Sequence, residues 1–138
     1  MNIDEMTAQD VFDKVYRGLA SQGFERSTST ELPGRSNTDA CAYRGSHGRR
    51  CAVGWLIPDD LYDKRLENRG YRWLMAALPN GSLSWMPDGL TTFFRGTAPH
   101  KSLIDELQNV HDGSEEPEGM KAWLESIAAE KGLEVPAV

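Results

Sequence analysis

Apolar residues recur every three to four positions in several stretches of this chain, and that spacing predicts helices. The most regular stripe follows Thr7, whose hydroxyl can cap a helix, and it ends before Gly23. The stripe consists of Val11, Phe12, Val15, Tyr16 and Leu19. The pattern predicts helices over residues 7–22, 61–68, 71–78, 99–111 and 117–131.

A different pattern lies between the first and second of these helices. Ala40–Arg44 and Arg49–Ile57 are short runs on either side of the loop Gly45–Gly48, and Pro58 stops the second run. Two such runs around a glycine-containing loop predict a β-hairpin. The fourteen-residue stretch before it, Arg26–Asp39, is rich in Ser, Thr, Gly and Pro and predicts a long surface loop.

Two further segments bear on the fold class. Leu83–Met86 is a candidate third strand between two turns. The composition of Leu90–Arg95 favours a strand, although this preference is weak. The sequence therefore predicts one α+β domain over residues 1–138, dominated by four to five helices, with a hairpin or a small three-stranded sheet.

Composition restricts the location and the partners of the protein. The content of 39% apolar and 26% charged residues is ordinary for a globular protein. No apolar run reaches the roughly 18–20 residues that a membrane span needs, and the acidic first residues lack the apolar segment of a secretory signal. We therefore expect a cytoplasmic protein without a membrane partner.

Charge is unevenly distributed along the chain. The net charge of −6 argues against broad nucleic-acid binding. Residues 35–100 are nevertheless basic, with nine cations against six acids, whereas residues 101–138 carry three cations against nine acids. Such segments can be solvated faces, or they can contact partners of opposite charge.

The predicted hairpin tip concentrates groups that bind anions. Glycine permits close approach to backbone amides, and arginine forks match phosphate and carboxylate geometry. The alternative is that these arginines are solvated or pair with acids of the same chain. The candidate binding residues are Tyr43, Arg44, His47, Arg49 and Arg50.

The two cysteines allow an enzymatic alternative. Cys51 could act as a nucleophile with His111 and Asp112, or with His100, if a base lies within hydrogen-bond reach. The alternative is structural: Cys51 is a small buried side chain and His111 packs on the apolar side of a helix. We predict no catalytic residue, and keep Cys51, His111 and Asp112 as the enzymatic alternative.

Some of the same residues also supply candidate ligands for a metal ion. Cys41, His47 and Cys51, joined by His100 or His111, supply ligand types that zinc accepts. Nine residues separate the cysteines, however, which does not match the close pairs typical of zinc sites. The sequence therefore predicts no metal and no cofactor. A disulfide would depend on the hairpin loop length, because that length decides whether the two sulfurs share a face.

Four tryptophans are many for this length. Trp123 belongs to the stripe of the last helix, but Trp85 lies between turns with little apolar support and is expected to be partly exposed. Exposed tryptophan and arginine together are typical of binding surfaces.

The central motif resembles that of a family of small uncharacterised proteins from bacteriophages and bacterial genomes. The resemblance rests on C-x-Y-R-G at Cys41, on G-R-x-C-A-V-G-x-L-I-P-D ending at Asp59, and on Tyr62 and Glu67. The opening helix and a later L-Q-x-V-H-D at residues 107–112 also match. Trp55 departs from the expected small residue.

The resemblance implies a small phage-type binding protein that acts on host machinery in the bacterial cytoplasm, as a candidate inhibitor of a defence system. Its target would be a host protein or a small anionic, nucleotide-like ligand. This expectation rests on genomic analogy. The alternatives are a Cys/His-dependent enzyme and a structural or virion-associated component.

Overall fold

A computed structural model describes residues 2–28, 41–80 and 83–138 of the chain. These residues form helices and turns and contain no β-strand, so the predicted α+β class is wrong and the described fold is all-α. The elements are α1 (Ala8–Ser21), α2 (Ala52–Leu56), α3 (Tyr71–Ala77), α4 (Asp88–Gly96), α5 (Lys101–Gly113) and α6 (Pro117–Lys131). Short 3-10 turns connect several of them, at Ile3–Glu5, Ser46–Gly48, Lys64–Leu66, Leu78–Asn80 and Ala98–His100.

Helix α1 confirms the first prediction. The Thr7 hydroxyl accepts a hydrogen bond from the Asp10 amide, and the Asp10 carboxylate accepts one from the Thr7 amide, which makes a reciprocal capping box. The whole predicted apolar stripe is buried. Helices α3, α5 and α6 likewise lie where the periodicity placed them. The helix predicted over residues 61–68 is reduced to the 3-10 turn Lys64–Leu66.

The predicted hairpin is wrong because its two runs do not pair with each other. The first run pairs instead with residues just after α1: the Ala42 amide donates to the Ser27 carbonyl at 3.0 Å, and Thr28 and Cys41 form an isolated antiparallel bridge. The second run is helical. Its residues bury Val53 and Leu56 in the core, and this packing overrides the weak strand preference.

The two other strand candidates are also helices or turns. Residues 90–95 lie within α4, whose buried residues Leu90, Phe93 and Phe94 follow helical spacing. Residues 83–86 form a turn that buries Leu83 and Met86. Most of the predicted loop Arg26–Asp39 lies outside the described residues.

One hydrophobic core joins the helices. Helix α2 packs against both α1 and α5, and α6 packs against α5 and α1. The largest buried side chains include Phe12, Tyr16, Phe94 and Leu107. Helix α6 ends at Gly132, whose left-handed conformation closes the helix. None of the described helices combines the length and apolar character that crossing a membrane requires.

Candidate functional site

Arg44 lies inside the fold. Its guanidinium donates to the carbonyls of Gly54 and Ile57, at 2.7 and 3.0 Å, and pairs with Asp59 at 3.1 Å. These carbonyls belong to the end of α2, which the arginine therefore caps. Burial is the main cause that lowers the pKa of Arg44, and the side chain also lies over the ring of Tyr62. These contacts within the chain explain why the motif has an arginine at position 44.

A buried carboxylate organises the strand-like segment before this arginine. Glu67 is 6% exposed, and its two oxygens accept hydrogen bonds from the amides of Tyr43 and Arg44 at 3.0 and 3.1 Å. Glu67 also accepts the hydroxyl of Tyr62, whose pKa is raised by burial and by this bond. The Tyr43 hydroxyl donates to the Arg69 carbonyl. The hydrogen-bond donors and acceptors of these motif residues are thus satisfied by other groups of the chain.

Of the remaining tip residues, Arg50 makes an internal contact, whereas His47 and Arg49 lie at the surface. Arg50 pairs with Asp59 at 2.9 Å and lies over the ring of Trp55, so Asp59 is shared by Arg44 and Arg50. His47 is exposed in a left-handed turn, and Arg49 lines a separate shallow depression together with Glu25 and Glu115. The structure does not gather Tyr43, Arg44, His47, Arg49 and Arg50 into one pocket.

Cys51 occupies the N-cap of α2. Its sulfur accepts a hydrogen bond from the Gly54 amide at 3.4 Å, and the side chain is 2% exposed. Burial raises the pKa of the Cys51 thiol, and the nearby carboxylates of Asp112 and Glu67 raise it further. Because the thiolate is the nucleophile, these surroundings oppose a catalytic role for Cys51. They fit the structural alternative for this residue.

His111 is completely buried, and its hydrogen bonds fix its tautomer. The Ser27 amide donates to Nε2 at 2.9 Å, and an amide can only donate. The ring proton of the neutral imidazole must therefore reside on Nδ1, which donates to the Asp112 carboxylate at 2.9 Å. Gln108 extends this network by donating to Asp112 and accepting from the Val53 amide.

Cys41, rather than Cys51, is the cysteine that the structure groups with the histidine and the aspartate. The Cys41 sulfur, one His111 nitrogen and one Asp112 oxygen lie within 4.8 Å of one another. A general base or a zinc ligand needs a free nitrogen lone pair, and the Nε2 lone pair already accepts the Ser27 amide. The geometry therefore favours a role for His111 in holding residue 27 against α5.

A cleft of about 360 Å³ lies beside this cluster. It separates residues 68–72 from the face of α5 that carries Asp105, Gln108 and Asn109. Cys41 and Asp112 reach its wall, and Arg72 crosses it to pair with Asp105 at 2.8 Å. The cleft is lined by polar and apolar atoms in nearly equal proportion.

Next to the cleft is an exposed group of cations and aromatic rings, which we call the arginine–tryptophan surface: Arg65, Arg69, Trp73 and Trp85. The Arg69 guanidinium lies 5.4 Å from the ring centre of Trp73 and 5.1 Å from that of Trp85, and Arg65 lies 5.3 Å from Trp85. Trp73 is 49% exposed. These distances are within the range of cation–π attraction.

Of the four residues of this surface, only Trp85 was indicated by the sequence. Trp85 was expected to be partly exposed, and it is. Arg65, Arg69 and Trp73 are spaced four residues apart, but the backbone that joins them is not one helix, because Asn68 has a positive φ and α3 begins only at Tyr71. Helical spacing therefore did not indicate this surface.

Comparison with known protein families, with curated proteins and with solved structures finds no match to this chain. The resemblance to the phage and bacterial family therefore stays a prediction.

Proposed function

We propose that this protein is a non-enzymatic binding protein whose contact site is the arginine–tryptophan surface. The observation that carries the proposal is the Arg69 guanidinium, which lies within 5.4 Å of the ring centres of both Trp73 and Trp85, at a partly exposed position beside the 49% exposed Trp73. Tryptophan and arginine dominate the binding energy of protein interfaces, since both present large area and directional contacts. Held in place by the rings, Arg69 loses less side-chain entropy on binding.

Charge supports a protein partner with an acidic surface. Residues 63–73 carry four basic side chains and two acidic ones, and one of the acids, Glu67, is buried with its own donors. The other, Asp63, pairs with Arg65 at 2.7 Å. The solvent-facing charge of this surface is therefore positive, and complementary charge directs both orientation and association rate.

The cysteine and histidine chemistry supports binding over catalysis. Burial suppresses the Cys51 thiolate, and the Ser27 amide occupies the lone pair that His111 would need as a base. The partner class expected from the resemblance, a bacterial host protein, is compatible with this surface and is the one we propose.

The proposal predicts that Trp73→Ala removes partner binding. Tagged protein is incubated with bacterial lysate, and each captured protein is purified and titrated by calorimetry. We expect the dissociation constant of the true partner to rise at least about 30-fold, which corresponds to a hot-spot loss of about 2 kcal/mol. Raising the salt concentration should weaken wild-type binding as well, because the contact is electrostatic in part.

Trp123→Ala is the matched control, because Trp123 is 45% exposed but lies on α6. The control should bind the partner like the wild type. If Trp73→Ala and Trp123→Ala bind every purified partner equally well, this surface is not the contact site. If the surface binds single-stranded oligonucleotides more tightly than any protein, the partner class is wrong.

A further inference from the structure

Another cavity lies between the N-terminal turn Ile3–Glu5 and α4. Its volume is about 660 Å³, within the range of small-molecule sites. Its walls are mainly apolar and come from Ile3, Met6, Leu56, Leu61 and Phe93. A site of this size and character accommodates an aliphatic or aromatic body.

Two glycines on one face of α4 keep this part of the fold tightly packed. A Cβ at Gly96 would lie 2.8 Å from the Ile3 side chain, and one at Gly89 would lie 3.0 Å from the Leu61 side chain. Gly89, Thr92, Phe93 and Gly96 follow at i, i+3, i+4 and i+7, so all four face the same cavity. The cavity is thus bounded by small residues at both ends of α4.

The charged residues at this cavity favour an anion. Lys14 from α1 and Arg95 from α4 both line it, and Asp4 is the one carboxylate among the described lining residues. Over the described parts of the chain, no ion pair joins Lys14 or Arg95 to a carboxylate. Two cations beside an apolar cavity are thus free to bind the head of a ligand.

We propose that this cavity binds an amphipathic anion, with an aliphatic chain against the apolar wall and a carboxylate at Lys14 and Arg95. The apolar wall supplies the larger part of the affinity, in proportion to the apolar surface that binding buries. The two cations select the sign of the head group. This site is separate from the arginine–tryptophan surface, shares no residue with it, and does not depend on the function proposed for it.

Calorimetry with sodium decanoate, below its micellar concentration, tests the proposal on the full chain. The wild type should bind one decanoate, and it should bind decyltrimethylammonium at least about 10-fold more weakly. Lys14→Glu and Arg95→Glu should each weaken decanoate binding about 10-fold or more. Asp4→Asn should leave it equal or tighter, since that change removes a like charge.

Two further variants distinguish binding in this cavity from a general effect of the protein's charge. Lys121→Glu makes the same charge change on α6, which contributes no described residue to this cavity, and should alter decanoate affinity less than about 3-fold. Thr92→Trp should narrow the cavity and weaken decanoate binding, while circular dichroism reports an unchanged fold. The proposal is overturned if decanoate does not bind, if both amphiphiles bind equally, or if Lys14→Glu and Arg95→Glu behave like Lys121→Glu. Trp73→Ala should bind decanoate normally, so a failure here is distinct from a failure of the proposed function.

Discussion

Replacing Glu67 with alanine is expected to lower the free energy of unfolding by about 3–5 kcal/mol. The change leaves the buried amide of Tyr43, the amide of Arg44 and the hydroxyl of Tyr62 without their shared acceptor. Each unsatisfied buried donor costs about 1–3 kcal/mol. Because single domains are stable by only about 5–15 kcal/mol, a large part of the stability would be lost. Urea denaturation followed by circular dichroism measures the effect.

Two variants control this experiment. Glu67→Gln keeps one carbonyl oxygen but presents an amide donor to the other donors, so an intermediate loss of about 2 kcal/mol is expected. Glu130→Ala removes an exposed carboxylate from α6 and should change stability by less than about 0.5 kcal/mol. A loss below about 1 kcal/mol for Glu67→Ala would mean that the motif does not hold the fold.

Gly54→Ala should destabilise the protein by about 2–3 kcal/mol, although alanine normally favours helices. A Cβ at Gly54 would lie 2.4 Å from the carbonyl oxygen of Tyr43. This oxygen belongs to the backbone, so the contact cannot be relieved by a side-chain rotation and α2 has to move. The shift in the midpoint of urea denaturation measures the cost.

Gly119→Ala is the matched control for that change. Gly119 also lies within a helix, α6, but a Cβ there would meet nothing within 4 Å. This variant should be unchanged or stabilised by up to about 1 kcal/mol, because alanine restricts the unfolded chain. If both variants were stabilised alike, the close approach of α2 to Tyr43 would be wrong.

The sequence was informative wherever one helix face determines burial. Val11, Phe12 and Val15 recur at a spacing that only a helix buries together, and Thr7 and Gly23 mark its ends, so α1 was predicted correctly. The same reasoning succeeded for α5 and for most of α6, where Trp123 was placed in the apolar stripe but is 45% exposed. These predictions depend on local spacing and need no knowledge of distant contacts.

The prediction failed where distant contacts decide the local structure. Residues 49–57 have strand-like composition, but they contain a helix whose end is held by Arg44 and whose Val53 amide donates to Gln108 from α5. Arg44 and Gln108 both lie outside this segment of the sequence. The orientation of Arg44 could not be predicted for the same reason, since its guanidinium turns inward to two carbonyls.

The arginine–tryptophan surface could not be derived from the sequence for a related reason. Trp73 lies in the short helix α3, and Trp85 comes from a separate segment. Their contact through Arg69 depends on how residues 63–73 turn before α3. Composition indicated that exposed tryptophan was present, but not where the rings would meet.

The most direct test of a binding role that does not use cysteine chemistry measures the affinity of two double variants for one purified partner. Cys41→Ser with Cys51→Ser removes both thiols, and serine can still cap α2 at position 51. Arg69→Glu with Trp73→Ala removes the centre of the arginine–tryptophan surface. We expect the thiol-free protein to bind within about 3-fold of the wild type and the second variant to bind at least about 100-fold more weakly. A folded thiol-free protein that no longer binds, beside a surface variant that binds normally, would contradict the account.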